Sequence, residues 1–378
     1  MTQPVVRATR ARLLAGAALA LLLAAGTRAQ DSVIVLNRER KPTPQPGVVV
    51  SETLAGVKVR NGDRERSFDS RDVQSIAYGP GSPAFELAEQ ALAAGDFVNA
   101  ESLFARAAQD AEPPWVAAHA LLRKAASAAR RGSTRLPQAR ADVEEFLRRF
   151  PEHRLLPEAL LDKAGYASEA GAAAEAEAAL AQVHELARDG RVTPDWSVRA
   201  HLALADQRLD AGDGQAAAAS YAAAGKAAAD GSRQVADRAD LQAVLATLSL
   251  AARTGSASCL LLAGDVAGAR RDYTRLAADG QGDPTVEAAA ANGLAECDLR
   301  EPGRLKDAQL AFARVAVTAV RAPGERARAL YFLGQCAVQL GEQAREPDGR
   351  QKAAAYYQDV IDRYPDTRWA RLARQELP

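Results

Sequence analysis

The chain has 378 residues, 48 basic and 48 acidic, with 5% aromatic residues and three cysteines. Arg7, Arg10, Arg12 and Arg28 lie in the first 29 residues, which hold no acid; without them 44 basic residues face 48 acidic ones, a balance near −4. That mild charge argues against nucleic acid as a partner, since such binding depends on clustered cations, and there is no polybasic patch for an anionic membrane.

Residues 1–29 read as a secretory signal peptide. Arginines 7, 10 and 12 precede an apolar run from Leu13 to Gly26, and Thr27-Arg28-Ala29 supplies small residues around a cleavage point. The run is shorter than the roughly 20 apolar residues that span a bilayer, so an exported protein with no membrane anchor after cleavage is expected, periplasmic or extracellular. Retention of the segment as an anchor is the alternative. No cysteine lies at the expected cut and no twin arginine precedes it. Cys259, Cys297 and Cys336 are an odd, widely spaced set, which is no disulfide framework; buried free thiols are expected.

Residues 31–79 carry short β-rich runs, "SVIVLN", "GVVVSET", "GVKVR" and "DVQSIAYG", separated by turn-forming Pro42, Pro44, Pro46-Gly47 and Asn61-Gly62. Valines 48 and 50, and 57 and 59, each share a strand face by period two, and Asn-Gly after such a run signals a hairpin. About five strands in so short a segment resemble the SH3-like or Sm-like small barrels. With eight basic and seven acidic residues here, a docking module is expected and not an RNA-binding one. "GPGSP", residues 79–83, reads as a linker.

From residue 84 to 378 the pattern is helical, and one spacing recurs: glycine, alanine five residues on, a large apolar residue nine on. It fits Gly95-Ala100-Phe104, Gly171-Ala176-Leu180, Gly212-Ala217-Tyr221, Gly264-Ala269-Tyr273 and Gly303-Ala308-Phe312. Gly132 with Ala139-Val143, and Gly341 with Ala353-Tyr357, are copies with insertions. Glycine ends a first helix in the left-handed conformation, alanine marks where the second helix crosses it closely, and the large residue fills the gap beside the crossing. A further apolar position, Ala107, Phe146, Val183, Ala224, Leu276, Val315 or Val360, seals against the next unit. Pro151 and Pro365 stop second helices. The 52-residue interval between Ala217 and Ala269 calls for a long or additional helix around Arg233–Ala252.

These units resemble tetratricopeptide repeats over about three quarters of the chain, through Ala100/Phe104, Ala139/Phe146/Pro151 and Ala353/Tyr357/Pro365. Their spacings of 39, 37, 41, 52, 39 and 45 exceed the family's 34. "ARADVEEFLRRFPEHRLLPEALL" and "AAAYYQDVIDRYPDTRWARLA" are similar to repeats of the periplasmic partner of the Tol–Pal system and of the outer-membrane assembly lipoprotein. The fold expected is mainly α: a superhelical solenoid of about seven irregular αα-hairpins, with a small all-β module before it.

The sequence holds no catalytic or metal constellation that stands up to inspection. His119, His153, His184 and His201 lack HExxH or HxH spacing. "GSASC" at 255–259 ends in cysteine where a nucleophile elbow needs glycine, and "GQGDPT" at 280–285 lacks a third glycine and a preceding strand. No cofactor is expected. The resemblance implies a concave surface lined by first helices, with Phe85, Glu89, Asp206, Leu209, Arg300, Tyr331 and Gln335 facing the groove. The function expected is a non-enzymatic protein–protein interaction scaffold of the bacterial envelope. The alternatives are a structural part of an envelope machine, of the Tol–Pal or outer-membrane assembly kind, and an accessory subunit or hydrolase.

Overall fold

Helices repeatedly end in this chain on one short device. In the computed structural model, which describes residues 30–37, 39–110, 113–345, 348–365 and 367–377, helix α1 (Pro83–Ala93) gives way to Gly95, whose φ of +76° only glycine adopts freely. The Gly95 N–H donates to Leu92 O and the Asp96 N–H to Ala91 O, the paired bonds of a Schellman motif. Asp96 then caps α2 (Phe97–Ala107) by accepting from Asn99 N at 3.1 Å. Gly-Asp at 212–213 and 264–265 repeats the arrangement, so two residues both stop one helix and start the next. Residues 1–29, with the signal peptide expected there, lie outside the described residues.

The other helices are α3 (Val116–Arg130), α4 (Leu136–Arg149), α5 (Leu156–Glu169), α6 (Ala173–Arg188), α7 (Asp195–Asp210), α8 (Gly214–Gln234), α9 (Ala239–Leu262), α10 (Val266–Asp279), α11 (Pro284–Arg300), α12 (Leu305–Thr318), α13 (Pro323–Ala344), α14 (Gly349–Arg363) and α15 (Arg368–Glu376). Among the described residues each odd-numbered helix pairs with the even one after it, making seven hairpins, and α15 covers the last. The alanines at 100, 139, 176, 217, 269, 308 and 353 are at most 2% exposed, and the large residues that follow, Phe104 to Tyr357, at most 3%. Packing at a methyl-sized contact leaves room for a ring beside it, which is why the two residues travel together.

One detail differs from the sequence reading. Gly341 is not a turn glycine: it is buried inside α13, pressed against Gly349, and the left-handed cap is Arg345 at φ 57°. Of the two alternatives for the long interval before Ala269, long helices fill it and not an additional one: α8 has 21 residues and α9 24, with Arg233–Ala252 spanning the junction between them.

Residues 31–77 form a five-stranded antiparallel sheet, β1 (Asp31–Leu36), β2 (Pro42–Glu52), β3 (Gly56–Asn61), β4 (Arg64–Asp69) and β5 (Val73–Ala77), in the order β4-β3-β2-β1-β5. β2 serves two partners, pairing with β1 up to Gly47 and with β3 from Val48. At the changeover a Cβ on Gly47 would lie 2.6 Å from Arg60 O, so only glycine lets the strands approach. Val49, Val57 and Val59 join Val33, Val35 and Val73 in the core; Val48 and Val50 take the half-exposed face.

The sheet docks on the helices along the side where α3, α5 and α9 begin. Leu54 is 4% exposed among side chains of α5, α6 and α7, and its N–H donates to Glu152 O at 2.8 Å. Arg40 pairs with Asp237 at 2.7 Å, and Arg238, in the turn before α9, donates to Arg71 O.

Candidate partner-binding groove

The odd-numbered helices α7, α9, α11 and α13, with α15, wall a cavity of about 820 Å³. Of the residues expected in a groove, Asp206, Leu209, Arg300, Tyr331 and Gln335 line it together. Phe85 is instead 8% exposed, edge-on to Phe104 and Trp115. Its position near the start of α1 turns it into the first hairpin's core, where an apolar ring is better placed than in water. Glu89 sits outside the cavity, paired with Arg123 at 3.3 Å.

The floor carries a buried ionic cluster. Arg328, 4% exposed, reaches Glu296 Oε1 at 2.6 Å and Glu325 Oε2 at 3.4 Å, and its guanidinium lies 5.6 Å from the Trp369 ring centre. Burial alone would lower the Arg328 pKa; Glu296, Tyr273 and Glu325 hold it charged, well above the usual range. The Tyr273 hydroxyl shares a 2.8 Å bond with Ser258, and Asn292 Nδ2 donates to Glu325 O and Oε2 at 2.8 Å each. The cluster ties α9, α10, α11 and α13 together, and its carboxylates are committed to holding helices.

On the opposite wall the Tyr221 hydroxyl donates to Asp206. Burial raises the Asp206 pKa, the tyrosine bond opposes this, and Asp210 adds to the rise. Tyr331 donates to Glu376 at 3.1 Å and accepts from Gln335 at 3.0 Å; burial, then Glu376, push it up to about 12. Between these polar walls α9 shows a stripe of small and apolar residues, Thr247, Ala251 and Leu262, all exposed. By length and composition α9 could cross a membrane, with only 33% of its most apolar window buried; in the fold it is an inner wall of the stack.

α15 brings Arg368 to Asp210 at 2.8 Å, and Arg371 to Asp210 at 2.5 Å and Glu169 at 3.5 Å. The last helix thereby reaches α5 and α7 across the cavity mouth. Sequence reasoning missed Glu296, Arg328, Asp210, Arg368 and Arg371, since a helix-surface charge is indistinguishable in sequence from one that meets a partner far along the chain.

The histidines are less exposed than a helix surface would leave them. His153 is 9% exposed beside the sheet, where Tyr78 donates to Glu52 at 2.6 Å and His119 Nε2 lies 3.8 Å from Glu52. The His184 and His201 rings lie 3.9 Å apart, tilted at 49° to each other. Among the described residues no group of three His, Cys, Asp or Glu side chains could hold a metal ion, and Cys259, Cys297 and Cys336 are free and buried.

The class that this geometry defines is a helical-hairpin repeat protein bearing a small antiparallel sheet. No protein-family model and no curated protein matches the sequence. Among solved structures the chain is similar to a tetratricopeptide repeat protein from Parabacteroides merdae, at 14% identity over 78% of this chain and 96% of that one, with a TM-score of 0.48. It is also similar to the C-terminal part of a TPR repeat-containing protein from Cytophaga hutchinsonii, at 11% identity over 78% and 99% of the two chains and a TM-score of 0.36. A circular tandem repeat protein follows at 16% identity, 78% and 64% coverage and a TM-score of 0.24.

Proposed function

We propose that this protein is a non-enzymatic scaffold of the tetratricopeptide kind, which holds a partner protein in its concave groove within the bacterial cell envelope. The observation that carries the reading is the cavity of about 820 Å³ walled by successive first helices. The buried Arg328, Glu296 and Glu325 are taken up in contacts between helices, while the exposed α9 residues Thr247, Ala251 and Leu262 are left for an incoming surface.

The envelope address rests on the basic, apolar and small order of residues 7–29. The strand order β4-β3-β2-β1-β5, with a bent β2 serving both halves, supports an SH3/Sm-like docking module.

Photo-crosslinking in the native cell tests the groove. A benzophenone side chain at Ala251, in the cavity wall, should capture a defined protein; one at Val317, 71% exposed on α12, should not. Equal capture from both positions, or none from Ala251, would sink the groove assignment. N-terminal sequencing of the mature protein tests export, with Gln30 expected first.

A further inference from the structure

The ring of contacts around the groove closes through side-chain tips. α15 is anchored by Ala370 and Ala373, both 0% exposed in a cluster shared with α13 and α14. Arg368 and Arg371 add little to that anchoring: both lean away from it to Asp210, and Arg371 also to Glu169, the two Arg371 contacts spanning sequence separations of 161 and 202 residues. These side chains are 32–42% exposed, and ion pairs so exposed contribute little to stability. What the two guanidiniums do is occupy the acidic wall of α5 and α7 while Trp369, between them in sequence, rests against Tyr331 and Phe332 at 5.6 and 5.5 Å. Beside that wall Thr247, Ala251 and Leu262 of α9 are exposed. An acidic rim next to an apolar strip fits a segment with arginines or lysines on one side and apolar residues on the other.

Resting on the groove reading above, we infer that the wall formed by Asp210 and Glu169 is a docking surface for a basic amphipathic segment of the partner protein. α15 holds the same seat from within until the partner takes it. The seat fixes the sign of the partner's charge, because a neutral or acidic segment would leave Asp210 without the guanidiniums that now neutralise it. It also makes binding competitive with closure, so that releasing the two arginines raises the affinity for the incoming segment.

The test uses the full chain and two fluorescent peptides, one with the sequence of residues 363–378 and one with its arginines replaced by glutamates, followed by anisotropy. The Arg368→Ala/Arg371→Ala chain should bind the basic peptide at least tenfold more tightly than the wild type. Adding Asp210→Asn should remove the gain, and the acidic peptide should bind neither chain. Should the alanine pair lower the melting temperature, Arg368→Gln/Arg371→Gln serves in its place. Equal affinity for the wild-type and variant chains, or a gain that survives Asp210→Asn, overturns the inference. A partner captured from Ala251 whose yield ignores Asp210→Asn would leave the groove reading standing and retire the basic segment alone.

Discussion

The ring of Tyr273, from α10, fills the space that a side chain on Gly293 of α11 would need. Tyr221 stands in the same relation to Gly255, one hairpin earlier. In both cases a second-helix tyrosine of one hairpin packs on a bare stretch of the next hairpin's first helix, and the stack advances by that contact.

Gly293→Ala and Gly255→Ala should therefore each destabilise the protein by about 1–3 kcal/mol through overpacking, even though alanine is the better helix former. Gly225, inside α8, has nothing within 4 Å of an added Cβ; Gly225→Ala should stabilise by about 0.5–1 kcal/mol. Urea midpoints of the three variants check the opposite signs.

Arg328→Ala should cost about 3–5 kcal/mol, because it strands Glu296, 5% exposed, without its counter-charge. Replacing both partners with apolar side chains, as in Arg328→Met/Glu296→Leu, should recover most of that loss. A double variant as unstable as the single one would show that the pair matters through something other than charge compensation.

Acid should weaken the fold through its buried histidines. Burial holds His153 and His201 down to about 4 against an ordinary 6.5, with His184 adding to the effect on His201. A depressed folded-state value contributes stability that is complete above pH 6.5 and is lost as pH falls from 6.5 through 4. A shift of this size at His153 is worth on the order of 3 kcal/mol once fully expressed. Asp162 runs the other way: burial, then Glu158, raise it to about 7, so its contribution is complete below 3.8 and lost as pH rises through 7. His153→Gln should flatten the fall in urea midpoint between pH 7 and 4.5, and Asp162→Asn should flatten the loss between pH 4 and 7.

Leu54→Ala should loosen the sheet from the helices. The side chain is 4% exposed in a helical core, and its truncation should cost about 2–4 kcal/mol. Limited proteolysis at residues 79–82 should accelerate in this variant while the helical circular dichroism signal is retained.

The hairpins were legible in sequence because their causes are local. A Gly-Asp pair is both a stop and a cap within two residues, and an alanine with a ring four positions on describes one crossing. Those rules failed where the local signal was ambiguous. Gly341 had the right company but sits within a continuing helix, since Gly349 and not a turn is what meets it. Phe85 satisfied the groove spacing yet turns inward onto Trp115, because an aromatic at a helix start can face either side.

By itself, then, the sequence determined the repeating unit: its turns, its crossings and the order of strands before helices, all set by residues within a few positions of one another. The tertiary structure alone decided that Arg371 meets Asp210, that Arg328 is buried with Glu296, and that Leu54 enters a helical core. Each of those meetings depends on the rotation between successive hairpins, accumulated along the stack. Such small angles come from the packing of every crossing together, and no short stretch of sequence contains them.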